Sequence, residues 1–211
     1  MSKEKEQLEA IQDIRKMMME SSKFLSLSGF SGVFAGIFAL AGAFLGKTQF
    51  DLYFQGKNLF FDLMATEENL ILIIFSICLV VLISSILVAF FFSRNKARKN
   101  GQKLFDQSSK KLFLNIAIPL VCGGVFSLAM LFYGGYFVFL IAPSMLIFYG
   151  LALFNGSKYT YHDIKILGIL EIILGFLALF YLGKGLLFWS IGFGVLHIIY
   201  GVLVWYKYDR K

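Results

Sequence analysis

Apolar residues in this chain come in long unbroken stretches separated by short polar ones, a pattern that fits neither half-buried strands nor surface helices. Six stretches stand out, at 24–46, 69–92, 112–133, 136–154, 164–182 and 186–206. Each supplies the roughly 20 apolar residues that carry a helix across about 30 Å of hydrocarbon, the fourth being slightly shorter. The first 23 residues read differently. Leu8, Ile11, Ile14 and Met18 recur at spacings of three and four among charged neighbours, which predicts an amphipathic helix. This segment lacks the apolar core and cleavage site of a secretory signal. Between the first two stretches, Phe50, Tyr53, Phe54, Phe60 and Phe61 predict a short helix lying along the outer membrane surface within 47–68.

The expected fold is therefore an all-α integral membrane bundle of six transmembrane helices. A cytoplasmic amphipathic helix over 1–23 precedes the membrane domain of 24–206, and a cytoplasmic tail of 207–211 follows it. Composition agrees: 58% hydrophobic residues and a mean hydropathy of +0.75 exceed what a water-soluble domain carries. Charge then orients the bundle. Of the 20 Lys and Arg, all but Lys47, Lys57 and Lys184 fall in segments on one side, and positive loops stay cytoplasmic. Both termini are expected in the cytoplasm of a bacterial inner membrane, which needs an even number of spans. The net charge of +7 has the same origin. Partners expected on this basis are the lipid bilayer, anionic headgroups at the basic loop 93–111, and a second copy or another protein at the N-terminal helix; nucleic acid is not expected.

Shifting the chain by 51 residues lays spans three and four on spans five and six. Gly124 then matches Gly175, Leu128 matches Leu179, Gly134 matches Gly185, Phe137 matches Phe188, and the Tyr149–Gly150 pair matches Tyr200–Gly201. A fainter echo, "GIFAL" at 36–40, lines up with "GVFSL" at 124–128 and "GFLAL" at 175–179. The chain reads as three parallel hairpin repeats. A Gly-containing span, a tight turn, an aromatic-rich span and a terminal Tyr-Gly resemble the hairpins of small bacterial six-span proteins of the HdeD acid-resistance type, mainly over 117–205. The turn "YLGKGLLFW" lacks the proline usual there. The resemblance implies a stress-linked membrane role and supplies no site residue. The whole chain also looks like a lineage of bacterial six-span proteins with no assigned activity.

One polar pair interrupts this picture. Glu171 sits inside the apolar run "LGILEIILGFLAL", thirteen residues before Lys184, and His197 lies thirteen after it. At about 1.5 Å per residue, an antiparallel hairpin places the two at one depth. Gly168 and Gly175 flank Glu171 as Gly194 and Gly201 flank His197, so these helix-packing glycines are expected to form a mutual seam enclosing the pair. Its repeat counterparts are Leu120 and Leu146. Tyr149 and Tyr200 are nearby hydroxyl candidates.

Two readings stay open: interhelical glue that fixes register, or a proton-handling site, since a carboxylate beside an imidazole can exchange a proton near neutral pH. Pro119 and Pro143 are expected to kink spans three and four, and Asn115, Ser84, Ser85 and Ser127 to bond across helices. Cys78 and Cys122 read as packing residues without redox or metal chemistry. No metal-ligand spacing, phosphate-binding loop or nucleophile–base motif occurs, so no cofactor, metal or catalytic residue is expected. The expected function is non-enzymatic, as a structural, interaction or stress-related membrane protein; the alternative is a small proton-coupled transporter or channel using Glu171 and His197.

Overall fold

Among the described residues, the closest approaches between helices are made at glycines, where one backbone meets another. The computed structural model describes residues 7, 11, 24–54, 67–101 and 107–210, and most of these are helical with no strand among them. The N-terminal amphipathic helix, the outer-surface helix expected within 47–68 and part of the basic loop lie largely outside the described residues.

In chain order the helices are α1 (Gly29–Phe54), α2 (Glu67–Lys99), α3 (Gln107–Tyr133), α4 (Ile141–Gly156), α5 (Asp163–Phe180) and α6 (Gly185–Asp209). A 3-10 segment, Gly135–Leu140, leads into α4, and α6 widens into π-helical turns at Ser190–Leu196 and Trp205–Asp209. Five helical stretches, Gly29–Tyr53, Asn69–Lys99, Gln107–Tyr133, Gly135–Tyr159 and Gly185–Asp209, are long and apolar enough to cross a membrane. The molecule has the make-up of a multi-pass membrane protein. α5, with Asp163, Lys165 and Glu171 among its 18 residues, is outside that set.

Several boundaries differ from the sequence reading. Residues 24–28 are not helical. The Phe24 amide donates to the Tyr159 carbonyl (2.8 Å), and the Thr160 hydroxyl donates to the Phe24 carbonyl (2.7 Å), fixing this segment against the α4–α5 connection. α1 continues past Gly46 to Phe54, since no proline follows and the Thr48 hydroxyl bonds back to the Phe44 carbonyl. Pro143 stands in the first turn of α4, directly after the 3-10 segment, and the neighbouring Ser144 hydroxyl donates to the Leu140 carbonyl (2.6 Å). Asn115 donates to the Lys111 carbonyl of its own helix (2.8 Å).

The larger correction concerns the seam. Gly168 and Gly175 do not meet Gly194 and Gly201. A methyl group on Gly168 would stand 2.7 Å from the Gly150 carbonyl oxygen, and one on Gly175 would stand 3.0 Å from that of Pro143, so the α5 glycines dock on α4. Gly194 is covered by the Leu40 side chain, and Gly201 by the Val33 and Gly29 backbone, so the α6 glycines dock on α1. The physical reason is angular. At about 100° per residue, positions three before and four after a polar residue are displaced from it by roughly 40–60° to the same side. Each helix can thus give its glycines to one neighbour and its polar side chain to another. α4 and α5 pair closely, α1 pairs with α6, and the two pairs meet around Glu171.

Candidate functional site

Glu171 is fully enclosed, with no exposed surface, and His197 is nearly so at 6%. Three helices build the enclosure. α5 supplies Glu171; α6 supplies Gly192, Phe193 and His197; α4 supplies Leu146 and Tyr149. Gly192 belongs there for a steric reason, because a methyl group at that position would overlap Glu171 Oε2 and the Leu146 side chain. Leu146, the repeat counterpart of His197, is itself completely buried against this point. Leu120, the counterpart of Glu171, is instead 40% exposed on α3, so the polar pair has no second version.

Hydrogen bonds fix the imidazole. His197 Nδ1 lies 3.0 Å from the Gly192 carbonyl oxygen, an obligate acceptor, so Nδ1 carries a proton. In the neutral ring Nε2 then accepts, and the Tyr149 hydroxyl at 2.7 Å donates to it. The π-helical turn brings Gly192, five residues earlier in the chain, into reach of Nδ1; such turns recur at functional positions. Phe193 stacks on the imidazole with centroids 6.0 Å apart, and lies 4.9 Å from the Tyr149 ring and 5.2 Å from Trp189. These aromatic faces leave the imidazole in an apolar box.

Glu171 Oε1 is 3.5 Å from His197 Nδ1, close enough for an ion pair but long for a hydrogen bond whose proton already points at Gly192. Neither carboxylate oxygen has a hydrogen-bond partner among the described residues. An unpaired charge costs several kcal/mol in such surroundings, on the order of what a desolvated ion loses on leaving water. Two arrangements relieve it: a proton on Glu171 itself, or a second proton on His197, taken up at Nε2 beside the Tyr149 hydroxyl, which leaves an imidazolium whose Nδ1 lies 3.5 Å from Oε1. The cluster thus holds one added proton in either of two places.

Tyr200, on the next turn of α6, makes no hydrogen bond with the pair. It packs with Tyr149, Leu27 and Leu196 on the buried cluster of Leu153, Ile164 and Leu167. Of the six residues singled out beyond the pair, Tyr149 joins it directly; Tyr200, Gly168, Gly175, Gly194 and Gly201 surround it at one remove.

A second polar assembly, which sequence reasoning missed, closes the Asp163 end of the bundle. Lys96 at the end of α2 forms an ion pair with Asp209 and also donates to the Leu27 carbonyl and the Tyr161 hydroxyl, both at 2.9 Å. Asp209 Oδ2 accepts the Ser28 hydroxyl (3.0 Å) and the Gly29 amide (2.8 Å), placing a carboxylate at the N-terminus of α1 where the helix dipole favours it. Tyr161 donates to the Leu25 carbonyl and stacks on Tyr208 at 4.1 Å. Tyr208 donates to Asp163 (2.8 Å), as does Lys207 (3.0 Å). Burial pushes the Asp163 carboxyl up, but the hydrogen bonds from Tyr208 and Lys207 outweigh it and hold the group below its ordinary value. In sequence Lys96 and Lys207 were only topology charges; partners up to 113 residues away leave no local pattern.

No protein-family model matches the chain, and no curated protein and no solved structure shows a significant similarity to it.

Proposed function

We propose that this chain is a non-enzymatic integral protein of the bacterial inner membrane, with a structural, interaction or stress-linked role, whose packing is set by a proton held at the Glu171–His197–Tyr149 cluster. In this reading α5 is a sixth span and both termini are cytoplasmic, with Asp163, Lys207 and Lys96 at the cytoplasmic face, as the distribution of Lys and Arg favours. The six spans form three hairpins. Two equivalent seams support that arrangement: Gly150 of the second hairpin docks on Gly168 of the third, and its repeat counterpart Gly201 docks on Gly29 and Val33 of the first. A stress-linked role is also what the likeness to HdeD-type proteins implies.

The observation that carries the reading is the Glu171 carboxylate, fully buried and without a hydrogen bond of its own. A group with a purely gluing role would be expected to use its oxygens; this one leaves them facing a hydrogen-bonded imidazole. The test is infrared spectroscopy of the protein in bilayers. A protonated-carboxyl stretch that titrates with pH, and that Glu171→Gln removes, is expected. Carboxyl bands identical in the wild type and Glu171→Gln across the pH range would defeat the reading.

The second reading, a small proton-coupled transporter or channel, would use the same cluster. Proton flux into liposomes that depends on both Glu171 and His197 would favour it over the first.

A further inference from the structure

Offsets of 88 and 51 residues carry α1 onto α3 and α3 onto α5, so Gly29, Ala117 and Gly168 are equivalent, as are Gly36, Gly124 and Gly175. In two of the three copies these positions make the same contact. A methyl group on Gly168 would strike the Gly150 carbonyl oxygen, and one on Gly29 would strike that of Gly201, the counterpart of Gly150. One on Gly175 would meet Ile147 and the Pro143 carbonyl oxygen, and one on Gly36 would meet their counterparts, Ile198 and the Gly194 carbonyl oxygen. The first helix of a hairpin thus docks on the second helix of the hairpin before it: α5 on α4, and α1 on α6 in cyclic order.

The third copy of this contact is unmade. On α3 an added methyl at Gly124 meets nothing within 4 Å, and Leu120, Val121 and Leu128 on the same stripe are exposed, Val121 by 63%. Cyclic order assigns that stripe to α2. One side of α2 lies on α1, with Ile74 against Gly46, Ile77 and Val81 against Gly42, and Phe92 stacked on Phe30 and Phe34. Leu79, Ile83, Ile86 and Phe90 project from the opposite side and are exposed. The molecule therefore carries both halves of a third seam, each uncovered among the described residues. Within one chain α2 is committed to α1, since these contacts run from Ile74 to Phe92 and Lys96 fixes its end to Leu27, Tyr161 and Asp209.

We propose that two copies of this chain complete the seam between them, the Ala117–Gly124–Leu128 stripe of each α3 docking on the free side of α2 in the other copy. The proposal rests on the three-hairpin arrangement given above. A two-fold axis along the membrane normal makes both contacts at once and keeps each α2–α3 pair antiparallel, as the two formed seams are. Lipid is as apolar as either helix, so hydrophobicity alone does not drive the union; close backbone approach at Gly124 does. The depths can be matched. Leu40 is the repeat counterpart of Leu128 and falls between the Gly42–Val81 and Phe34–Phe92 contacts, level with Ile83. Leu128 and Ile83 therefore stand opposite each other across the new seam.

The test uses the full chain with Cys78 and Cys122 replaced by serine. Chains carrying Leu128→Cys are mixed in detergent with chains carrying Ile83→Cys, reconstituted into phosphatidylcholine–phosphatidylglycerol vesicles and treated with a thiol oxidant. The mixture is expected to give a disulfide-linked pair of chains, at least about tenfold more of it than either chain alone, because cysteines much more than about 7 Å apart do not bridge. Gly124→Leu in the first chain should lower that yield about tenfold or more, as overpacking a close seam does. It should not weaken the separate chain in SDS titration, since nothing within the chain meets a methyl at that position. No linked pair from the mixture, equal yield from either chain alone, or a bond formed only inside a chain carrying both substitutions would overturn the proposal. Ile147→Cys with Gly175→Cys, linked within one chain, reports the α4–α5 seam separately; failure of that bond would remove the hairpin arrangement and the dimer with it.

Discussion

Replacing Gly168 with alanine tests the close backbone pairing of α4 and α5. The added methyl would stand 2.7 Å from the Gly150 carbonyl oxygen and 2.8 Å from the Phe154 nitrogen, and both are backbone atoms that cannot rotate away. Ordinary contact begins near 3.4 Å, so α4 and α5 must separate by about 0.7 Å along this line. Overpacking of that kind costs about 1–3 kcal/mol. Alanine recovers roughly 0.8–1.0 kcal/mol through helix propensity. Gly124, the repeat counterpart of Gly175, has no heavy atom within 4 Å of an added methyl, so Gly124→Ala should keep the propensity gain without the clash. The two variants are expected to differ by about 1–3 kcal/mol, the overpacking contribution alone. Reversible unfolding of the detergent-solubilised protein by SDS titration measures the difference. Equal stability of Gly168→Ala and Gly124→Ala would refute close backbone contact between α4 and α5.

Three further outcomes follow from the two polar assemblies. Gly192→Ala should destabilise the protein by about 1–3 kcal/mol by displacing the Glu171 carboxylate, and Glu171→Asp, one methylene shorter, should recover part of that loss in the same SDS titration. Asp209→Asn weakens the partner of Lys96 and the cap on α1; a loss of about 1–3 kcal/mol is expected, together with faster proteolysis near Phe24–Ser28. Asp163 is held below its ordinary value in the folded state, so its stabilisation is present above the unfolded value of about 3.9 and is lost as pH falls through the folded value. Asp163→Asn should therefore be less stable than the wild type at neutral pH and indistinguishable from it in acid, read by thermal unfolding across pH.

Unbroken apolar runs made the helices legible, because lipid leaves a long helix no choice but continuous hydrophobicity. The meeting of Glu171 and His197 was legible for a related reason: a hairpin turning near Lys184 equates depth with distance along the chain. Which helix each glycine docks against was not. A stripe displaced by 40–60° from a polar residue looks, in one dimension, like the same face as that residue. Gly192 was hidden by the π-helical turn, since helical spacing gives no reason to pair a residue with one five positions before it. The start of α1 moved from 24 to Gly29 because Asp209 and Tyr159 capture the preceding segment, and those partners come from the far end of the fold.

A double-mutant cycle on Glu171→Gln and His197→Gln, read as unfolding free energy in SDS titration, tests most directly whether α5 and α6 place an acid and an imidazole in one enclosed site. Neighbours in contact within a membrane bundle couple by about 0.6 kcal/mol on average and up to about 1.7 kcal/mol. The account predicts a coupling in that range that grows when pH is lowered far enough to place a second proton on the pair. Strict additivity at every pH would contradict it.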